Sequence, residues 1–207
     1  MTAYVLNVLT GYVLGSIPFG LVVGYAFVHR DIREVGSGKT GTTNVLRTAG
    51  KTAAALVVVG DIAKGTAPAL IGRFVWDDDG AAAAGAGAAI VGHVWPVFAG
   101  FRGGRGVATA YGGVLGLTPL VALAFPVLAA VILLSTRYVS LMSVLVTPMA
   151  AIVVAVEAIA GIEPAAFAWY TVFAVAIIEY MHIPNIRRLL SGTEPRVGRG
   201  GDRQATG

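Results

Sequence analysis

The polar residues of this chain are few, and they crowd into short segments. One runs Val35-Gly36-Ser37-Gly38-Lys39-Thr40-Gly41-Thr42-Thr43-Asn44-Val45-Leu46-Arg47. Glycines at 36, 38 and 41 let backbone N–H groups approach an anion closely. Ser37, Thr43 and Asn44 add neutral hydrogen-bonding groups, and Arg47 can clasp a phosphate with two parallel bonds. The glycine and lysine spacing is not that of a nucleotide-binding P-loop, and a flexible polar loop would have the same composition. A denser segment runs Gly92-His93-Val94-Trp95-Pro96-Val97-Phe98-Ala99-Gly100-Phe101-Arg102-Gly103-Gly104-Arg105-Gly106-Val107-Ala108-Thr109. Here an apolar helix carrying His93 enters a glycine-rich loop with two arginines, and a second apolar helix follows. The N-terminus of a helix behind a glycine loop suits an anion. The alternative is structural: a satisfied histidine, and arginines that anchor helix ends at a membrane surface.

Smaller groups complete the set. Asp61-Ile62-Ala63-Lys64-Gly65 lies within an apolar stretch. Asp61 and Lys64 share one helix face and can pair, and ionisable residues in such a stretch point to function unless they form a purely structural ion pair. Arg137-Tyr138-Val139-Ser140 forms a short polar turn, and His182, Asn185, Arg187, Arg188 and Glu194 follow the last apolar run. Acyltransferases that use thioester donors often pair a histidine base with an aspartate five residues on. The residues five after His29, His93 and His182 are Glu34, Phe98 and Arg187, so that motif is absent. Cations and glycine loops outnumber candidate bases, which suits a substrate that brings its own good leaving group.

Composition says what must position these groups. Of 207 residues 56% are hydrophobic and 13% charged, against about 25% charged in soluble domains. So little charge cannot cover a globular surface in water, and the chain reads as an all-α integral membrane protein. There is no cysteine, which excludes disulfides, thiolate metal sites and cysteine nucleophiles. The basic residues sit between apolar runs, beside headgroups or small anions rather than nucleic acid. Apolar stretches cover roughly 4–28, 52–75, 82–100, 106–136, 141–160 and 165–182. The first is read as a single retained helix. Gly11, Gly15, Gly20, Gly24, Gly85 and Gly87 read as close packing through small residues.

Lys and Arg prefer cytoplasmic loops. Arg30, Arg33, Lys39, Arg47 and Lys51 lie in the first loop, and Arg187, Arg188, Arg196, Arg199 and Arg203 lie at the C-terminus. Both belong on one side, which requires an odd number of crossings with the N-terminus outside. The fourth stretch is therefore split at Gly112–Pro119, giving about seven short helices. The expected organisation is a polytopic membrane domain over 1–192 and a basic, flexible cytoplasmic tail over 193–207.

Taken in order, the Gly36–Arg47 loop, Asp61–Gly65, Gly92–Thr109, Arg137–Ser140 and the His182–Glu194 segment resemble the motifs of the bacterial acyl-phosphate:glycerol-3-phosphate acyltransferase family. The resemblance covers nearly the whole chain. It implies a seven-helix fold in the bacterial inner membrane with its site at the cytoplasmic face. It also implies transfer of a fatty acyl group from acyl phosphate to the 1-hydroxyl of sn-glycerol 3-phosphate, giving lysophosphatidic acid and phosphate. On that resemblance Ser37, Arg47, Lys64, Arg105, His182 and Asn185 are expected to be catalytic. Gly38, Gly41, Thr43, Asn44, His93, Gly103, Gly104, Gly106, Thr109, Arg137, Ser140 and Glu194 are expected to bind substrate. The chain departs from the family pattern at Lys39, Thr42 and Arg105, where asparagine, alanine and lysine are usual. Two rivals remain open: a small transporter built on Asp61 and Lys64, and an acyltransferase of the same fold that uses acyl-CoA or acyl carrier protein.

The charge parity is directly testable, because a cysteine-free chain has no labelling background. Lys51→Cys, Gly103→Cys and Gly192→Cys should be shielded from an impermeant thiol reagent added outside the cell, whereas Thr2→Cys, Asp78→Cys and Glu163→Cys should react. External labelling at position 192 would rule out the odd count.

Overall fold

The computed structural model describes residues 1–197. The expected tail residues 198–207, with Arg199 and Arg203, lie outside the described residues. Eight α-helices occur among those described: α1 (Thr2–Gly15), α2 (Phe19–Val28), α3 (Thr42–Phe74), α4 (Asp79–Val94), α5 (Val107–Leu117), α6 (Pro119–Thr136), α7 (Val139–Ile159) and α8 (Ala165–Leu190). Two compact units contain them, Met1–Leu117 and a second that begins at Thr118. Counting α1 with α2 as one broken segment, six segments are long and apolar enough to cross a membrane. The α5 helix has 11 residues, about 16 Å at 1.5 Å per residue, short of a hydrocarbon core of about 30 Å.

One break falls where the sequence did not place it, and a second falls within the expected range. The first apolar run is not one helix: α1 ends at Gly15 and α2 begins at Phe19, with Pro18 at its N-cap. Proline has no N–H to continue the ladder, and an apolar run conceals such a break because hydropathy does not register hydrogen bonds. The fourth stretch is cut at Thr118-Pro119, at the proline end of the expected Gly112–Pro119 range. Gly112, Gly113 and Gly116 lie inside α5, where Gly112 lies against the Ile62 backbone and Gly116 against Thr66 and Ala69 of α3. These glycines permit close helix packing without interrupting their own helix.

Within the first unit the same device joins α1 to α4. A Cβ at Gly11 or Gly15 would collide with the backbone of Gly85 or Ala89, and one at Gly92 would meet Tyr12 and Ser16. Backbones so close are held by contact rather than by large side chains. Asn7, fully buried in α1, donates from Nδ2 to the Pro68 carbonyl at 3.0 Å and the Ala81 carbonyl at 2.7 Å, tying α1 to α3 and α4. The α3 helix bends at Gly50, whose φ of 87° and ψ of −177° only glycine adopts readily. Its last turn carries Arg73, which donates to the Leu117 carbonyl at 2.8 Å and so satisfies the end of α5. Arg73 thus has a structural use on the loop side that otherwise lacks bases. Asp78 caps α4 by accepting from the Ala81 N–H at 2.9 Å.

In the second unit α7 packs against both α6 and α8. The α8 helix continues to Leu190, so His182 and Asn185 stand inside it, three apart and both buried. The chain then turns back at Gly192. The N–H groups of Thr193 and Glu194 donate to the Arg188 carbonyl at 2.8 and 3.2 Å, and the Val197 N–H donates to the Arg137 carbonyl at 2.9 Å. The guanidinium of Arg196 lies 4.9 Å from the Tyr138 ring centre. Residues 193–197 are therefore fastened to the ends of α6, α7 and α8.

Candidate active site

Asn44 organises the first polar loop. It is buried at the start of α3, and its Nδ2 donates to the carbonyls of Ile32, Lys39 and Val35 at 2.7, 3.0 and 3.1 Å. Its Oδ1 accepts from the Ser37 N–H at 3.0 Å. The space beside Oδ1 leaves no room for a Cβ at Gly36. Both ends of the Asn44 amide are engaged in closing the loop on itself. Arg33 adds a second fastening: it is paired with Asp31 at 2.7 Å and donates to the Ala99 carbonyl at 2.8 Å, joining this loop to the turn after α4. Its bonds to Asp31 hold that carboxyl below the usual range.

What this arrangement leaves for a ligand lies at the helix ends. Gly41 caps α3 without a side-chain bond to its first turn, so the leading N–H groups at Thr42 and Thr43 have no capping side chain. The first backbone bond of α5 runs from the Ala110 N–H to the Gly106 carbonyl at 2.7 Å, and the N–H groups of Val107, Ala108 and Thr109 precede it. Beside these two N-termini stand Lys39, Arg102 and Arg105. Partial burial, then the charges of Arg105 and Arg102, hold the Lys39 ammonium below its ordinary value. The repulsion that Arg105 and Arg102 exert on Lys39 favours an anion beside it.

The glycine loop ahead of α5 uses its own N–H groups within the protein. The N–H of Gly103 donates to the Val94 carbonyl and that of Gly104 to the His93 carbonyl, both at 3.2 Å. These donors are spent on the end of α4. A Cβ at Gly103 would strike the His93 carbonyl, and one at Gly104 would strike the His93 imidazole at Nε2. The glycines are there because the loop lies directly on His93.

His93 in turn rests on a buried ionic group. Asp61 and Lys64 are 2% and 5% exposed and pair at 2.8 Å. The Nδ1 of His93 is 3.4 Å from the same Asp61 oxygen, an ion-pair distance rather than a strong hydrogen bond. Lys64 also donates to the Ile17 carbonyl at 2.9 Å, in the break between α1 and α2. Thr109 is fully buried, and its carbonyl faces Gly65 so closely that no Cβ would fit. A carboxylate beside a histidine thus exists, although no fixed-spacing motif encodes it, because Asp61 and His93 come from different helices. Only the apolar setting of Asp61 could have drawn attention to it.

Of the expected residues in the first unit, Ser37, Gly38, Gly41, Thr43 and Asn44 share the loop and the start of α3. Lys64, His93, Gly103 and Gly104 form the chain of contacts just described, and Arg105 and Gly106 lead into α5. Ser37 and Arg47 are exposed, and Arg47 is not part of the buried group. In the second unit Arg137 caps α6 in a left-handed conformation with φ 63°. Ser140, Asn185 and Glu194 gather together. Asn185 Nδ2 donates to Glu194 Oε1 and Arg188 Nε to Oε2, both at 2.7 Å. Ser140 is buried and faces the same carboxylate without completing a well-aligned bond. Burial would raise the Glu194 pKa, but these partners outweigh it and hold the carboxyl below its usual range. His182 has Nδ1 2.8 Å from the Ile178 carbonyl, which places the proton on that nitrogen.

Removing one member of the buried ion pair should cost far more than removing both. Asp61→Ala leaves the Lys64 charge uncompensated and is expected to destabilise the detergent-purified protein by about 3–5 kcal/mol. The double variant Asp61→Leu with Lys64→Met should recover much of that loss. Thermal unfolding measures both, and equal loss in the two variants would show that the pair is not the source.

Comparisons with known proteins supply the family. Residues 5–192 match the family model described as glycerol-3-phosphate acyltransferase. A glycerol-3-phosphate acyltransferase of Rubrobacter xylanophilus is 46% identical over 194 residues, spanning 94% of this chain and 95% of its own. One of Halalkalibacterium halodurans is 42% identical over 196 residues, spanning 94% and 95%. Among solved structures, PlsY (YgiH), an integral membrane glycerol 3-phosphate acyltransferase, matches in its glycerol 3-phosphate form with a TM-score of 0.87 and 40% identity, over 94% of this chain and 96% of that one. Its lysophosphatidic acid form matches with a TM-score of 0.84 and 39% identity, over 94% and 95%. With nearly its whole length matched, this chain belongs to the glycerol-3-phosphate acyltransferase family of integral membrane proteins.

Proposed function

We propose that this protein transfers a fatty acyl group from acyl phosphate to the 1-hydroxyl of sn-glycerol 3-phosphate at the cytoplasmic face of the bacterial inner membrane. The observation that carries this reading is the group formed by Lys39, Arg102 and Arg105 beside the N-termini of α3 and α5, in a chain of this family. Both proposed substrates bring phosphate, and a dianion relieves the repulsion on Lys39 while using N–H groups that the helices cannot satisfy themselves.

Chemistry on an acyl phosphate asks little covalent help of the protein. The hydroxyl attacks the anhydride carbonyl, the C–O bond to phosphate breaks, and the hydroxyl proton goes to a phosphate oxygen of the substrate. The protein's part is to stabilise the developing oxyanion and the leaving phosphate with positive charge and aligned donors. Arg105 and Lys39 are the proposed phosphate ligands, with Ser37 and Thr43 beside them. Arg47, His182, Asn185, Ser140 and Lys64 are assigned to the same reaction by resemblance. Asp61 and His93 brace the Gly103-Gly104 segment that carries Arg105. The transporter alternative draws on Asp61 and Lys64, but both are engaged in a buried pair and in closing a helix break.

The donor is settled by purified protein given labelled glycerol 3-phosphate with each donor separately. Acyl phosphate should support turnover without coenzyme A or acyl carrier protein. Equal or better rates with acyl-CoA would overturn the donor assignment, and no acylation with any donor would overturn the enzyme reading.

Arg105 carries the second test. Loss of one partner from a partly dehydrated charge pair costs about 2–5 kcal/mol, so Arg105→Ala should lower kcat/KM by roughly 30- to 3000-fold. Arg105→Lys keeps the charge and should retain far more, despite losing the bidentate geometry. Near-wild-type kinetics in folded Arg105→Ala would remove this residue from the phosphate site.

A further inference from the structure

Charge is segregated along the second unit. Its described residues carry four arginines, and all four stand at one end. Arg137 caps α6, Arg187 and Arg188 lie in the last turn of α8, and Arg196 lies in the segment fastened back across these helix ends. Glu157 stands at the other end of α7, Glu163 follows it in the turn to α8, and Glu179 lies in the middle of α8. Among the described residues of this unit, Glu194 is the one carboxylate at the basic end, and Arg188 holds it at 2.7 Å. Four positive charges less one negative leave +3 at this end. Arg137, Arg187 and Arg196 are exposed, and none has a carboxylate partner among the described residues.

These bases sit at a defined depth. The α6 and α7 helices have 18 and 21 residues, about 27 and 32 Å at 1.5 Å per residue, so a bilayer core of about 30 Å ends where the arginines begin. One turn inside Arg137 is Leu134, 79% exposed, and one turn inside Arg187 is Ile183, 40% exposed. Apolar side chains so open belong in hydrocarbon, and bases one turn beyond them belong among headgroups. Arg196 is fixed at that level twice over. The neighbouring Val197 N–H donates to the Arg137 carbonyl, and the guanidinium lies over the ring of Tyr138, a residue type that favours the membrane interface. We propose that this end of the second unit is a docking surface for an anionic phospholipid, with Arg187 and Arg196 as ligands of the headgroup phosphate and Arg137 beside them. A lipid brings apolar chains to cover Leu134 and Ile183, which a soluble phosphate lacks, and a zwitterionic headgroup would set its own ammonium against three arginines. The inference stands apart from acyl transfer: it uses only the second unit, and neither Arg187 nor Arg196 enters the proposed reaction.

Because the chain has no cysteine, Ser191→Cys, exposed and next to Arg188 in the chain, can carry a single environment-sensitive fluorophore. The labelled protein is reconstituted in phosphatidylcholine vesicles with a rising share of phosphatidylglycerol. Its fluorescence should change saturably with phosphatidylglycerol, and added salt should weaken the response. One base at a charged membrane surface is worth about fivefold in lipid association. Arg187→Gln, which leaves the fastened segment untouched, should therefore weaken the apparent affinity by about fivefold, and adding Arg196→Gln should bring the loss to about tenfold or more. Arg187→Lys with Arg196→Lys keeps both charges and should stay within about threefold of the parent. Thermal unfolding in pure phosphatidylcholine should be nearly the same for all of them. An equal response to added phosphatidylcholine would mark a surface without charge selectivity. An affinity unchanged by Arg187→Gln with Arg196→Gln would place the lipid elsewhere. The same saturation by inorganic phosphate or by polyglutamate would mark a site for a soluble anion or for an acidic protein. Each of these results would overturn the proposal.

Discussion

A charge buried in apolar surroundings must keep its partner, and the first unit is arranged around one such obligation. The Lys64 ammonium has two acceptors, the Asp61 carboxylate and the carbonyl of Ile17. The second is available only because α1 stops at Gly15 and proline at 18 prevents its continuation. A helix break inside a membrane segment is tolerated when something else satisfies the freed backbone, and here the ion pair does so. The same carboxylate approaches His93, and the glycine loop lies on His93. A break in the first segment, a pair in α3, a histidine at the end of α4 and the loop bearing Arg105 are thus four links of one chain of contacts.

Two kinds of glycine support that chain. Those at 11, 15, 85 and 92 bring backbones together, and those at 103 and 104 let a loop lie against an imidazole. In both kinds the absent side chain is replaced by a neighbour. A protein with such a low share of charge obtains its specificity from steric fit, and side chains larger than hydrogen at these positions would push apart the groups that the ionic contacts join.

The helices were legible because apolar length is a strong signal, and the cationic loops fall between them. The errors share a cause. Pro18 was passed over inside an unbroken apolar run, and the break expected over Gly112–Pro119 is made by its proline alone, because Gly112 and Gly116 pack α5 onto α3. A residue type states what a backbone can do, and only the neighbour decides which use is made of it. Asn44 looked like a ligand and proves to be the fastening of its own loop. Gly103 and Gly104 were expected to bind substrate by resemblance, and their N–H groups are spent on the end of α4. The closeness of Asp61 to His93 lies beyond any spacing rule, because it depends on how α3 and α4 pack.

The Asn44 knot has a consequence for biogenesis. Its acceptors, Ile32, Val35 and Lys39, all lie within a dozen residues, and closing so short a loop costs little chain entropy. It needs no partner from later in the chain, so it can form on the ribosome-bound nascent polypeptide as soon as the first segment has entered the bilayer. The bond from Val197 to Arg137 is the opposite case: it joins residues 60 positions apart and waits until residue 197 has been made. Synthesis from the N-terminus therefore completes the loop at the start of α3 well before the segment after α8 is fastened to the end of α6.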